Sequence, residues 1–258
     1  MKRITPQFKY TFAFAILLVC AFSLAGPSYA DPNGQRGLVA PEPGTIALIS
    51  TGFIGWLVSV ARRRFQQFKR VLDIISSLVG LVAAFPLVAL TGLIVKIVSP
   101  GPVFLKQDRV GHNGRIFGMY KIRTMKIDAE KYTGPIWARE DDPRLIKFGN
   151  IIRKTHIDEL PQLLNVLKGD MSMVGPRPER PVFVEKLTGK IVDYRKRINV
   201  RPGITGLAQV RHKYDETIRD VRKKVKYDLL YIREMCFLVD LRILLRTIIV
   251  AASGKGAR

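Results

Sequence analysis

Cysteine is nearly absent: Cys20 and Cys236 are the only thiols in 258 residues. One lies in an apolar leader and the other beside a late apolar segment, so there is neither a disulfide framework nor a metal-ligand spacing, and redox chemistry has no support. Glycine-rich phosphate loops are missing as well. No Gly-x-x-x-x-Gly-Lys run and no Gly-x-Gly-x-x-Gly turn occurs, which argues against nucleotide hydrolases and dinucleotide enzymes. Nothing reads as a zinc finger, a basic zipper or an RNA-binding strand motif. Acid is scarce, with 21 Asp and Glu against 43 Lys and Arg, a net charge of +22.

That excess is uneven. Residues 1–61 hold four basic side chains (Lys2, Arg3, Lys9, Arg36) and two acids (Asp31, Glu42), so 39 basic and 19 acidic residues fall in 62–258. Such charge suits nucleic acid or an anionic membrane surface. With no nucleic-acid motif, and with long apolar stretches beside the basic clusters, membrane lipid is the expected partner.

Residues 1–30 have the layout of a secretory signal. Lys2, Arg3 and Lys9 precede an apolar run, and Ser28-Tyr29-Ala30 puts small residues where a signal peptidase reads. An uncleaved N-terminal anchor is the alternative. A Pro- and Gly-rich linker follows. Pro41-Glu42-Pro43-Gly44, the apolar run 46–61 and Arg62-Arg63-Arg64 then resemble a PEP-CTERM sorting signal. They also suit a short transmembrane helix, since about 16 residues rise about 24 Å. Both readings place the arginines on the cytoplasmic side.

Residues 71–98 are almost wholly apolar, interrupted by Asp73, Pro86 and Lys96. Proline removes a helical hydrogen bond and divides the stretch into arms of about 15 and 13 residues, each too short for a hydrocarbon core of about 30 Å. Basic clusters on both flanks predict a re-entrant hairpin entered and left from the cytoplasmic face, with a kinked span as the alternative.

In 100–126 short strands and turns are expected. Lys121 and Arg123 alternate with Tyr120, Ile122 and Thr124, which puts both cations on one strand face, toward a diphosphate or toward solvent. Asp141-Asp142-Pro143-Arg144 reads as a turn into a helix over 145–154, its acids alternatively metal ligands. Within 155–178, Asp158 reads as the N-cap of a helix reaching Lys168 and stopping at Gly169, with Pro161 at the third helical position. A carboxylate there sits in the positive end of the macrodipole, which favours its charged form. That suits a nucleophile or a metal ligand, although Asp158 could equally be a plain cap, Glu159 a first-turn acid and Arg177 a solvated turn residue. Further on, 179–197 reads as a charged surface helix. In 200–210, Gly203 and Gly206 would let the backbone approach a ligand. Residues 219–235 form an amphipathic helix and 237–252 an apolar one, either interfacial or core.

The ordered motifs Gly101-Pro102-Val103-Phe104, Gln107, Arg109, Gly111, Phe117, Tyr120-Lys121-Ile122-Arg123-Thr124-Met125, Asp158-Glu159, Pro176-Arg177-Pro178, and Val200-Arg201-Pro202-Gly203-Ile204-Thr205-Gly206 with Ala208-Gln209-Val210 carry a resemblance. Over roughly residues 68–249 the chain resembles the bacterial sugar transferases, the monotopic polyprenyl-phosphate phosphoglycosyl transferases. The resemblance implies transfer of a sugar-1-phosphate from a UDP-sugar to polyprenyl phosphate, with UMP released and Mg²⁺ required, at the bacterial inner membrane and in exopolysaccharide or related glycan assembly. It implies Asp158 as nucleophile, Glu159 as the Mg²⁺ ligand, and Arg177 with Lys121, Arg123 or Arg153 as phosphate-binding cations. It also implies the re-entrant form of 71–98, usually with Ser before the proline; here Phe85 takes that place.

The expected fold is therefore α+β and helix-rich. A re-entrant membrane hairpin (71–98) joins a small cytoplasmic catalytic domain within 65–252, preceded by apolar segments in 1–30 and 31–64 and followed by a tail, 253–258. A glycosyltransferase releasing UDP and a non-catalytic basic protein docked on lipid are the competing functions. UMP, UDP or neither as product separates the three.

Overall fold

The computed structural model describes residues 43–131, 134, 142–212 and 217–252. The signal-like segment, the linker through Glu42, Asp141 and the tail lie outside the described residues. The chain divides into two compact units, Met1–Gln67 and Phe68–Arg258. The described part of the first is helical. Helix α1, Pro43–Val98, is 56 residues long and carries Pro86 in its interior without interruption. The sequence predicts two arms there; a single proline deletes one N–H bond and crowds one carbonyl, and a long helix can absorb both by bending. Among the described residues, Ser59–Val98 is the one helix long and apolar enough to cross a membrane.

In the second unit α1 reverses the usual pattern of a soluble helix. Val71, Ile75, Leu78, Val79, Val82, Phe85 and Ile97 are exposed, while Asp73, Ser77 and Thr91 are buried. The buried face recurs at helical spacing through Asp73, Ser77, Thr91, Val95 and Ser99. Polar groups on it have partners: the Met173 N–H donates to Asp73 Oδ1 at 3.0 Å, and the Ser77 hydroxyl donates to the Asp73 carbonyl at 2.6 Å.

The rest of this unit is α+β and helix-rich. Strands β1 (Phe104–Val110) and β2 (Ile116–Ile122) form an antiparallel hairpin, with Phe104 opposite Ile122 and Val110 opposite Ile116. A second two-stranded sheet pairs β3 (Ser172–Val174) with β4 (Gly203–Thr205) in parallel. Helices α2 (Gly149–Lys154), α3 (Gln162–Lys168), α4 (Pro181–Thr188), α5 (Leu207–Arg211), α6 (Ile218–Glu234) and α7 (Phe237–Ala252) complete it. Val95 of α1 joins Ile122, Ile146 and Ile152 in one core cluster, and Val174, Tyr231 and Ile243 form another.

Three local expectations change. The helix expected over 145–154 starts only at Gly149, because Leu145 is bridged to Met125 and Phe148 turns left-handed. Of 179–197 only Pro181–Thr188 is α-helical, followed by a 3₁₀ segment, Tyr194–Asn199. Gly203 and Gly206 do allow a close approach, but to the backbone of Gly175. A Cβ on Gly203 would lie 2.0 Å from the Gly175 nitrogen, so the glycines serve the β3–β4 junction. By contrast α6 and α7 occupy the expected ranges, α6 with a Thr217–Asp220 capping box. On α7 Asp240 and Ile243 are buried in the domain, while Leu238, Leu245, Ile248 and Ile249 are exposed.

Asn165 of α3 is fully buried and pins this helix to β2, accepting from the Tyr120 N–H at 3.0 Å and donating to the Gly118 carbonyl at 2.8 Å. Asn165→Ala would leave both backbone groups unpaired. The expected loss is about 2–4 kcal/mol, read as a lower urea midpoint with an unchanged m-value.

Candidate active site

The dipeptide Asp158-Glu159 lies in a 3₁₀ turn, Ile157–Glu159, entered through a left-handed His156. Asp158 is not the N-cap of α3. That position belongs to Pro161, and Gly169, with φ of 91°, ends the helix as expected. The turn folds back because Glu159 N–H and Leu160 N–H bond to the His156 and Ile157 carbonyls. Asp158 is therefore turned inward and is 6% exposed.

The two acids have opposite environments. Glu159 takes a 3.0 Å hydrogen bond from Lys121 Nζ and is gripped by both Nη atoms of Arg177, Nη1 lying 3.1 Å from Oε2 and Nη2 bonding to Oε1. These cations hold its carboxyl well below the usual range despite burial. Asp158 accepts no hydrogen bond among the described residues, and its ion-pair neighbour is Lys121 at 3.9 Å. Burial pushes its carboxyl up to about 6, opposed first by Lys121 and aided by the Glu159 charge. The expectation of a dipole-stabilised Asp158 is thus reversed: outside the helix proper it lacks the cap bonds, and desolvation dominates.

Of the other cations expected here, Arg177 and Lys121 meet at Glu159. Arg153, on α2, donates from Nε to the Thr124 hydroxyl at 2.9 Å and acts electrostatically on Asp158. Arg123 does not join them. Strand β2 ends at Ile122, and Arg123 is buried with Nη2 on the Ser99 carbonyl at 2.8 Å, just beyond the C-terminus of α1, where carbonyls lack helical donors. Asp142 pairs with Arg144 at 2.5 Å instead of serving as an open ligand.

Behind Arg177 lies a layer of buried charge that the sequence reading had not singled out. Glu179, held near 2 by cations that overcome its burial, bonds to Lys224 at 2.6 Å, and Arg197 pairs with Asp228. A signal was present. Lys224 and Asp228 fall on the Val221, Val225, Tyr231 stripe of α6, at the helical spacing of buried positions.

The charged form of Asp158 is disfavoured in the folded protein, so its contribution to stability is full below the unfolded value of 3.8 and is lost as pH rises through about 6. Asn mimics the protonated acid. Without metal, Asp158→Asn should melt higher than wild type at pH 7.5, by about 2–4 °C per kcal/mol relieved at this size. The two melting curves should converge as pH falls to 4. Equal melting points at pH 7.5 would refute the desolvated carboxylate.

The model of the family described as "Bacterial sugar transferase" matches residues 64–254. The chain is 43% identical over 194 residues, 75% of its own length and 46% of the relative's, to a UDP-N-acetylgalactosamine-undecaprenyl-phosphate N-acetylgalactosaminephosphotransferase of Aeromonas hydrophila. It is 41% identical over 184 residues to a UDP-glucose:undecaprenyl-phosphate glucose-1-phosphate transferase of Caulobacter vibrioides, covering 70% of this chain and 68% of that one. It is also 39% identical over 197 residues to the exopolysaccharide production protein PSS of Rhizobium leguminosarum, 73% of this chain and 97% of the relative. Several relatives are much longer, and the chain spans less than half of the Aeromonas protein. With its motifs, its fold and the match over residues 64–254 in agreement, the chain belongs to the bacterial sugar transferase family.

Proposed function

We propose that this protein transfers a sugar-1-phosphate from a UDP-sugar to a polyprenyl phosphate, releasing UMP. The observation that carries the reading is the unequal carboxylate pair: Asp158 buried and without hydrogen bonds, Glu159 held by Lys121 and Arg177. A carboxylate raised to about 6 is ionised at neutral pH and more basic than an ordinary one, which suits a nucleophile. Asp158 Oδ attacks the phosphorus that bears the sugar, and the bond to the UMP oxygen breaks. A polyprenyl phosphate oxygen then displaces Asp158 from the acyl-phosphate. Arg177 and Lys121 offset the charge on the transferring group, with Arg153 close enough to assist. The names of the relatives above, which specify UDP-sugars and undecaprenyl phosphate, support the same substrate classes.

Mg²⁺ belongs to this proposal. Among the described residues no three His, Cys, Asp or Glu side chains converge, so Glu159 would supply the protein ligand and diphosphate oxygens the others, an arrangement Mg²⁺ accepts. Bound there, it would neutralise developing phosphate charge. Glu159 can offer an oxygen to it once Arg177 turns from the carboxylate to the phosphate.

The membrane path is likewise proposed as re-entrant, with the catalytic domain on the cytoplasmic side. Near one end of the segment Arg70 bonds to the carbonyls of Val166 and Leu167, and near the other Val95 lies in the core with Ile122. From Asp73 to Val98 the helix rises about 38 Å. A helix docked on one domain at both ends favours entry and exit on the same face over a span.

The test is product analysis of detergent-purified protein with a UDP-sugar panel, polyprenyl phosphate and Mg²⁺. UMP is expected; UDP would mean glycosyl transfer and no nucleotide a binding role. Asp158→Asn should lower turnover at least about a thousandfold, and wild-type kcat should fall as pH drops below about 6. Glu159→Gln should lose the response to Mg²⁺. For topology, single cysteines at positions 64 and 115 should both resist an impermeant thiol reagent applied from outside, whereas opposite labelling would establish a span.

A further inference from the structure

Arg177 is anchored twice, by its side chain to Glu159 and by its backbone to the domain. Prolines at 176 and 178 remove two N–H groups from the turn, so its carbonyls are the main handles by which it can be held. Four in succession are used, by three elements: β4, the 3₁₀ segment Tyr194–Asn199, and β1, which supplies two of the donors. The Pro176 carbonyl accepts from Gly203 N–H at 2.9 Å and that of Glu179 from Val110 N–H at 2.9 Å. The Pro178 carbonyl accepts from Arg109 Nη1 at 3.1 Å, and the Arg177 carbonyl from Arg197 Nη2 at 2.9 Å.

Arg197 is 3% exposed. Its Nε and Nη2 lie 2.9 and 2.8 Å from Asp228 Oδ2, and Nη1 lies 3.2 Å from the Tyr194 hydroxyl, whose ring also stacks near the guanidinium. Asp228 is 1% exposed on α6. As fold-stabilising glue such a pair is a poor choice, since apolar residues of like volume commonly do as well or better than a buried ion pair. What apolar residues lack is a donor for the Arg177 carbonyl.

We propose that Arg197, oriented by Asp228, is a positioning residue that fixes the backbone of Arg177 beside Glu159, from where its side chain can turn to the phosphate. The inference rests on the role of Arg177 in the proposed reaction. It ties the C-terminal amphipathic helix to the carboxylate pair through two contacts: Asp228 to Arg197, and Arg197 to the Arg177 backbone.

The experiment compares full-length wild type, Arg197→Met, and Arg197→Met/Asp228→Leu in detergent. The single variant strands Asp228 and should lose both stability and turnover. The double variant removes the stranded charge and should regain the wild-type melting point, yet keep a deficit of at least tenfold in kcat for UMP release with little change in KM. Deuterium exchange in the peptide spanning 172–184 should be faster than in wild type. If the double variant still melts low, Arg197→Lys keeps a charge opposite Asp228 without the planar fork and should show the same faster exchange at a near-native melting point. In an Arg177→Ala background, loss of Arg197 should cost no further kcat. Recovery of wild-type kcat in the double variant, unchanged exchange in 172–184, or an additional tenfold loss in the Arg177→Ala background would overturn the proposal. Exchange is read without substrate, so it judges the positioning even if wild type releases no UMP, the result that would remove the proposed function instead.

Discussion

Glu159 is bound at once by Lys121 of β2 and by Arg177 of the Pro-Arg-Pro turn, and three segments distant in sequence meet on that one carboxylate. Each is held from behind. Asn165 fixes α3 to β2, Arg70 covers the carbonyls at the end of α3, and Arg109 and Arg197 grip the turn. Buried charges of this kind are tolerable only when paired and hydrogen-bonded, which explains why the surroundings of the site are ionic instead of apolar. Asp158 is the exception: burial with no hydrogen bond among the described residues raises its proton affinity, the basicity that the proposed nucleophile would need.

The long apolar helix is built into the architecture of the site. The apolar face of α1 in the second unit is left open, whereas Lys69, Arg70 and Asp73 reach into the domain. Asp240 joins Lys69 of α1 to Tyr231 of α6, whose hydroxyl also lies 3.1 Å from the Val174 carbonyl, three residues before Arg177. The strand that leads to the Pro-Arg-Pro turn is therefore contacted by the long apolar helix, through Asp73, and by Tyr231 of α6. The proposed transfer between a nucleotide sugar and a lipid phosphate would need such a link, because its acceptor would be confined to a bilayer surface.

Much was legible in the sequence where the cause is local. The ranges of α6 and α7 followed from helical periodicity, and the stop at Gly169 from glycine's tolerance of a left-handed cap. The α+β class, the candidate acid pair and Arg177 and Lys121 as candidate phosphate-binding cations came from ordered motifs; that both cations bond to Glu159 did not. Arg123 was misplaced because alternation describes a strand only as far as the strand runs, and β2 ends one residue earlier. Likewise the stretch 179–197 looked like a solvated helix because its charges are many; that Arg197 is buried depends on an aspartate 31 positions later.

The sequence by itself pointed to the long apolar helix, to the ranges of α6 and α7, and to the residue types that could carry the chemistry, since those follow from short-range periodicity and side-chain type. Only the tertiary structure decided that Glu159 is hydrogen-bonded by two cations while Asp158 has Lys121 at 3.9 Å. It also decided that Gly203 and Gly206 make room for Gly175, and that the arginine turn is held through its carbonyls. Desolvation, ion pairing and backbone contact depend on distances between residues far apart in the chain, and those distances exist only once it has folded.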